Sequence, residues 1–351
     1  LVRGHSFPFR QPPPVRQTRR GRGPDQKEQV MTGTSRRAFT LGLSFGALAA
    51  RTLPLVGLVS HAAAASPAVN LPQAQIRIGR FTVTALADGY ADMPYSYFPG
   101  RTPEQVEQAA RAQFVARPGG VRFLFNQYLI EDGERRVLID TGPAGSLGQT
   151  GLLPQALAAL GLRPDQIDAV IVTHMHQDHI GGLVAGGRNN FPSAEIYIDR
   201  RDVVHWTNPA KQNAAPEYLQ PSFRLSAEVM RLYPRLQAID GERQITRGIS
   251  IIDLAGHTPG HIGVRIEDAG QSLIMVSDMV FPVVHPSATD VNFLMEQDHA
   301  AAQAMRARFF PRAAEQGALI AATHMAFPGL GRIVSDRGSL RWQPADWAFQ
   351  A

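Results

Sequence analysis

One hexapeptide, His174-Met175-His176-Gln177-Asp178-His179, constrains this 351-residue chain more than any other feature. In a chain of this length and histidine content, an H-x-H-x-D-H pattern arises by chance roughly once in two thousand sequences, so its side chains are read as chemistry. Alternate residues of an extended segment face the same way, so His174 and His176 can grip one metal ion. The turn that follows can swing Asp178 and His179 toward a second. Gly181 and Gly182 then let the backbone turn tightly and start a helix nearby. The chain has no cysteine, which removes disulfides, thiolate ligands and a cysteine nucleophile. Any metal site must therefore be built from His, Asp and Glu.

The rest of the chain supplies candidates in a regular way. Four short apolar runs, Ala169–Val172, Ser250–Leu254, Leu273–Val276 and Ala318–Ala322, are each followed within a few residues by His or Asp. Runs without alternation suit strands buried on both faces. Ligands of open α/β sheets gather beyond the carboxyl ends of strands, so these loops can converge on one site. They deliver His174 to His179, then His257 in Gly256-His257-Thr258-Pro259-Gly260-His261, then Asp278, then His324. Five imidazoles and two carboxylates form an N/O set that suits Zn²⁺ and also accepts Mn²⁺, Fe²⁺ or Co²⁺.

Elsewhere the pattern is that of an α/β protein. A first strand is predicted over 76–86, and a hairpin from Leu124–Ile130 and Arg136–Ile139 around Glu131-Asp132-Gly133. Thr102-Pro103-Glu104-Gln105 has the form of a capping box and opens a helix over about 103–116. Further helices are predicted over 154–161, 223–237 and 298–310, the last stopped by Pro311.

Charge is unevenly spread. The formal net charge is +5, but residues 1–65 hold ten Lys/Arg against Asp25 and Glu28, so the other 286 residues carry a net −3. A mildly acidic body offers no electrostatic reason to bind nucleic acid. Ser35-Arg36-Arg37-Ala38-Phe39-Thr40-Leu41, an apolar run to Val59 and Ala62-Ala63-Ala64-Ala65 read as a twin-arginine signal peptide over 31–65. Cleavage near Ala65–Ser66 would give a periplasmic or secreted protein. Arg51 and Pro54 interrupt the run, so no stable membrane anchor is expected. Residues 1–30, Pro/Arg-rich and preceding Met31, are read as a possible non-native upstream extension, and 66–351 as one domain.

The H-x-H-x-D-H signature, the Val137-Leu138-Ile139-Asp140-Thr141-Gly142 strand and turn, and the later His, Asp and His together resemble the metallo-β-lactamase superfamily over nearly all of residues 76–350. Within it, Ile76–Pro94, Ile171–Leu183, Gly256–His261 and Ala321–Gly331 are most similar to the methyl parathion hydrolase group, related to lactonases and arylesterases. The resemblance implies an αββα sandwich and two divalent ions, most simply zinc. It implies His174, His176 and His257 on one ion, Asp178, His179 and His324 on the other, and Asp278 between them. Asp140 would orient a ligand or cap a turn, and His261 would support the His257 loop.

Such a pair of ions can share one water and lower its pKa toward neutrality, giving a hydroxide nucleophile, with Asp178 and Asp278 as the catalytic carboxylates. The expected partner is a small-molecule ester, lactone or phosphotriester, with a homodimer plausible in the family. Lactonases of the superfamily place a Tyr three residues after the bridging Asp. Phe281 stands there in this chain, which favours substrates with good leaving groups. Leu147, Trp206, Phe223 and Phe281 are the expected pocket walls, with Phe281–Gln297 as a lid and Tyr90–Phe98 as an aromatic loop. A β-lactamase, a thioester hydrolase or an iron dioxygenase on the same scaffold are the competing readings, along with a binding protein whose site has decayed. His205, His285 and His299 are expected on loops or the surface, and His5 and His61 in the leader.

Overall fold

The computed structural model describes residues 72–284 and 286–346. The upstream segment, the twin-arginine segment, His5, His61 and His285 lie outside them. The described residues form an αββα sandwich of two sheets. The first sheet holds β1 (Gln73–Ile78), β2 (Phe81–Pro94), β3 (Ala116–Arg117), β4 (Gly120–Glu131), β5 (Arg136–Ile139), β6 (Ala169–Ile171), β7 (Glu195–Asp199) and β8 (Gln237–Ile239), in the order β1-β2-β4-β5-β6-β7-β8 with β3 beside β4. The second is β9 (Arg243–Thr246), β10 (Ile249–Asp253), β11 (Ile262–Asp268), β12 (Gln271–Met275), β13 (Leu319–Ala321), β14 (Leu330–Asp336) and β15 (Ser339–Pro344), ordered in space from β15 to β9.

Three apolar layers hold the sandwich together. Phe81, Val83, Ile130, Ile139 and Ile171 of the first sheet meet Ile251, Val264, Ile266 and Met275 of the second in the central layer. The opposite face of the first sheet, through Leu129, Leu138, Val170 and Ile198, packs on helices α2 (Leu153–Ala159), α3 (Gln177–Val184), α4 (Arg200–Trp206) and α6 (Gln220–Leu232). On the far side Ile274, Ile320 and Ile333 pack on Met305, Phe310 and Ala313 of α7 (His299–Glu315). Strands β5 to β8 pair in parallel. Burial on both faces explains why β6 reads as an unbroken apolar run. Each fully buried Ile or Leu contributes about 1.5–3 kcal/mol.

Several boundaries differ from the sequence reading. Residues 76–86 are not one strand. Gly79, at φ 55°, and Arg80 turn the chain between β1 and β2, and Asp268 Oδ2 accepts from Arg80 N at 2.8 Å. The Tyr90–Phe98 segment is not a loop at first, because β2 runs to Pro94 alongside β4 before a short turn at Tyr95–Tyr97. The helix opened by Thr102 and Gln105, α1 (Pro103–Ala112), has both capping-box bonds but ends four residues early. The α6 helix ends at Leu232, ahead of Pro234, which has no N–H to continue the ladder. Pro311 does not stop α7. Gln316 N still reaches Arg312 O and Ala318 N reaches Ala313 O, while buried Phe310 and Ala313 anchor that turn. Between α4 and α6 lies a short helix, α5 (Pro209–Ala214). No helix among the described residues is long and apolar enough to cross a membrane.

Candidate metal centre

The strand ends converge as the apolar runs predict. The β6 strand leads through Thr173 into His174, and His176 is the N-cap of α3, whose first turn carries Asp178 and His179. Parallel pairing of β12 with β13, Met275 beside Ala321, sets Asp278 next to His324. His257 comes from the loop between β10 and β11. The two glycines act differently from the tight turn expected of them. Both lie inside α3, where a Cβ on Gly182 would fall 2.2 Å from Thr141 O, so the pair lets the helix press against the Thr141-Gly142 backbone.

Two donor groups share one carboxylate. His174 Nε2 lies 2.9 Å and His257 Nε2 3.0 Å from His176 Nδ1. Across the site, Asp178 Oδ2 lies 3.4 Å from His179 Nε2 and 3.5 Å from His324 Nε2. Asp278 stands between them. Its Oδ2 is 3.3 Å from His257 Nε2, and its Oδ1 is 3.2 Å from both His179 Nε2 and His324 Nε2. The trios His174/His176/His257, His174/His179/Asp278 and Asp178/His179/His324 each have spacings that can hold a metal ion. Apart from partly buried Asp178, all these side chains are buried.

The electrostatics fit cations in this centre. Burial, aided by neighbouring imidazoles, pushes His174 and His257 well below the ordinary histidine value and His176 to about 4. These three imidazoles are therefore neutral at neutral pH, each with one ring nitrogen able to ligate a cation. Burial works against the charge of Asp278, but His324, His179, His174 and His257 hold it well below the usual carboxylate range. Asp178 is lowered in the same way by His179 and His324. Burial is likewise outweighed at His179, which Asp178, Asp278 and Asp140 raise, and at His324, which Asp278 and Asp178 raise. His176 Nδ1 faces both His174 Nε2 and His257 Nε2, at 2.9 and 3.0 Å, a convergence of three imidazole nitrogens that a shared proton or a shared cation satisfies. His179 Nε2 is buried without a hydrogen-bond partner. Divalent cations answer both facts.

A second tier of contacts aims the donors. Asp140, at φ 58°, accepts from Thr173 N, Thr173 Oγ1 and His179 Nδ1, each at 2.8 Å. His324 Nδ1 lies 3.0 Å from Leu124 O, which leaves Nε2 facing the carboxylates. Asn126 Nδ2 donates to Thr323 O at 2.9 Å and Met325 O at 2.8 Å, bracketing His324. Asp202, pushed up to about 6 by burial against the amides it binds, accepts from Met175 N at 2.8 Å and Gly260 N at 2.7 Å. It ties the hexapeptide to the His257 loop. Asn126 and Asp202 were not singled out in the sequence, where nothing separates them from ordinary polar residues. His261 is buried with its ring centroid 5.1 Å from that of His174, outside every donor trio, and its carbonyl accepts from Leu254 N to close the loop that carries His257.

A cleft of about 80 Å³ opens onto Asp178, Asp278 and His324. Its other walls include Met93, Tyr97, Phe123, Leu147, Tyr218 and Phe293. Leu147 thus faces it, and Trp206, Phe223 and Phe281 do not. Trp206 is 1% exposed and packs edge-on against His176 at 5.0 Å, with Phe223 behind it. Phe281, fully buried, stacks between Phe123 at 5.5 Å and His324 at 5.7 Å. These three rings brace the histidines from behind. His205 lies on α4 against Phe223, half-buried, and His299 opens α7. Tyr97 and Phe293 belong to the two segments expected to flank the site. Phe123, Gln177 and Tyr218 went unrecognised as lining residues.

The sequence profile of the metallo-beta-lactamase superfamily matches residues 122–324, from the β4 strand through the last histidine of the cluster. The chain belongs to that superfamily. Among its relatives, an N-acyl homoserine lactonase of Bacillus cereus is 24% identical over 172 residues, 43% of this chain and 61% of the relative. The N-acyl homoserine lactonase AiiB of Agrobacterium fabrum is 26% identical over 179 residues, 44% of this chain and 62% of the relative. The chain thus spans about three fifths of these curated relatives. Solved structures match over a longer stretch. AbOPH, a hydrolase of the beta lactamase superfamily, superposes with a TM-score of 0.73 at 27% identity, over 79% of this chain and 99% of its own. AidC, a dizinc quorum-quenching lactonase solved with the product N-hexnoyl-L-homoserine, gives 0.73 at 25% over the same shares.

Proposed function

We propose that this superfamily member is a two-cation hydrolase of small esters, lactones or organophosphate triesters. The observation that carries the reading is Asp278, whose two oxygens each face a separate set of imidazoles. His174, His176 and His257 would hold one cation, Asp178, His179 and His324 the other, and Asp278 both. The donor set and the dizinc AidC support zinc. A bound pair supplies water activation at neutral pH and polarisation of a carbonyl or phosphoryl oxygen.

The protein's own groups do the rest. Asp178, the donor nearest solvent, can take up the proton released from water. Met93, Phe123, Leu147 and Phe293 exclude bulk water and receive an acyl or aryl group. Tyr97 and Tyr218 bring the only phenolic hydroxyls to this lining, in place of a Tyr at position 281. Relatives named as lactonases support the carbonyl substrates and AbOPH the wider hydrolase class. The Arg36-Arg37 pattern supports export to the periplasm, a reading that rests on residues outside those described. The test is metal-analysed protein assayed on a paraoxon-type triester, phenyl acetate, dihydrocoumarin and acyl-homoserine lactones. At least one should turn over, chelation should abolish turnover, and Asp278→Ala should lose about 100-fold or more. Full activity in that variant, or in cation-free protein, refutes the reading.

A further inference from the structure

Arg306 of α7 and Glu296 form an ion pair that is closed to solvent, with side chains 1% and 0% exposed. Removing two such charges from water is expensive, and apolar residues of similar size would commonly give equal or better stability. What an apolar pair cannot do is bind several backbone groups at once. Arg306 uses its whole fork. Nη1 pairs with Glu296 Oε1, Nη2 donates to Val291 O at 3.0 Å, and Nε donates to Thr289 O at 3.3 Å. The second oxygen of Glu296 accepts from Phe293 N at 3.1 Å. The chain of contacts therefore runs from the helix, through a carboxylate, to the backbone of a residue whose ring lines the cleft.

The segment held in this way has no strand ladder of its own. Outside the pair, its 290–292 end is tied to Arg101 and to Gln303 of α7, His299 lies 3.2 Å from Phe293 O, and its 293–297 end is also tied to the walls of the site. Leu294 N donates to Tyr97 O and Gln297 N to His257 O, both at 2.8 Å. Phe293 packs on Phe281 at 4.8 Å and on Phe123 at 5.5 Å, and Met295 joins it in the lining. A cavity of about 80 Å³ is small against the roughly 300 Å³ or more of ordinary ligand sites, so small displacements of these walls decide which groups fit.

We propose that the buried Arg306–Glu296 pair is a specificity-setting latch, which fixes the 289–297 strap and so places Phe293 and Met295 against the substrate's acyl or aryl group. Both are positioning residues, and the assignment to substrate choice rests on the hydrolase reading above. The latch holds one arrangement of the strap, and an apolar replacement leaves the fold intact while freeing the wall.

The test uses the cation-loaded chain with the double substitution Arg306→Met and Glu296→Leu, and separately Glu296→Gln, which keeps the shape but, with its oxygen on Phe293 N, turns an amide N–H toward the Arg306 guanidinium. For the double variant we expect unchanged cation content and hydrogen exchange of the 291–297 amides faster by about 10-fold or more. The ratio of kcat/KM for a long-chain acyl lactone or aryl triester to that for phenyl acetate should shift about 10-fold, carried by KM. Glu296→Gln should move the same quantities in the same direction and, by leaving Arg306 unpaired, lower stability more than the double variant does. If either folded variant keeps wild-type exchange over 291–297 and wild-type substrate ratios, the latch is wrong. Faster exchange with unmoved ratios also overturns it, leaving a merely structural pair. If wild-type protein binds its cations yet hydrolyses none of the panel, the hydrolase reading fails, and exchange still tells whether the pair fixes the strap.

Discussion

Replacing Asp140 by Asn tests how the centre is aimed. The substitution changes a single group, from a carboxylate that only accepts hydrogen bonds to an amide with one accepting and one donating end. In the wild type, Oδ1 receives Thr173 N while Oδ2 receives Thr173 Oγ1 and His179 Nδ1. Because Oδ2 must accept, the one proton that His179 would keep with a cation bound sits on Nδ1, leaving Nε2 to face the site where Asp178 and Asp278 converge. An Asn in one orientation keeps the Thr173 amide bond but points N–H at Nδ1. That moves the imidazole proton to Nε2, where it blocks donation. The flipped orientation sets the amide N–H against Thr173 N–H, leaving two buried donors facing each other.

Either outcome costs one buried bond of about 1.5–3 kcal/mol. Loss of such a supporting partner lowers metal affinity by about 10–100-fold. The effect should be selective. Binding of the cation that Asp178, His179 and His324 would hold should weaken, whereas His174, His176 and His257 keep their contacts. Competitive chelator titration with metal analysis should resolve one weakened and one unchanged affinity, and imidazole ¹⁵N shifts should show His179 protonated at Nε2. If Asp140→Asn binds both cations within about two-fold of wild type with His179 still protonated at Nδ1, the tautomer argument is refuted.

Two further outcomes follow from particular contacts. Gly182→Ala sets a Cβ against the backbone oxygen of Thr141, which cannot swing aside, and should destabilise the protein by about 3 kcal/mol while weakening cation binding; an unchanged urea midpoint would contradict the close approach. Asp88 is buried and, despite accepting from Gly151 N and Leu153 N, is raised from 3.8 to about 6. A raised native pKa means that the folded state binds the proton more tightly. Its stabilising contribution is complete below about pH 4 and is lost as pH rises through 6, a total of about 3 kcal/mol. Asp88→Asn should remove that component, so unfolding free energies measured across pH 4–7 should fall less in the variant; parallel curves would reject the assignment.

The sequence carried the donors more plainly than the walls, and the physical reason lies in what each depends on. His174 to His179 are fixed by local geometry alone, and His257, Asp278 and His324 follow apolar runs whose burial makes them strands, so position in sequence nearly determines position in space. A wall residue depends on which way one ring turns after the sheets have packed. Trp206 and Phe123 look equivalent as aromatic residues, yet α4 turns Trp206 into the helical layer under His176, while β4 directs Phe123 into the cleft. The same limit applies to Arg306. On an amphipathic helix an arginine ordinarily marks the solvated face, and only the strap folded over α7 converts it into a buried cation with three partners. On the proposed latch, sequence variation at positions 289–297 and 306 should change substrate choice while the 174–179 hexapeptide stays the same, because the strap depends on contacts between distant segments.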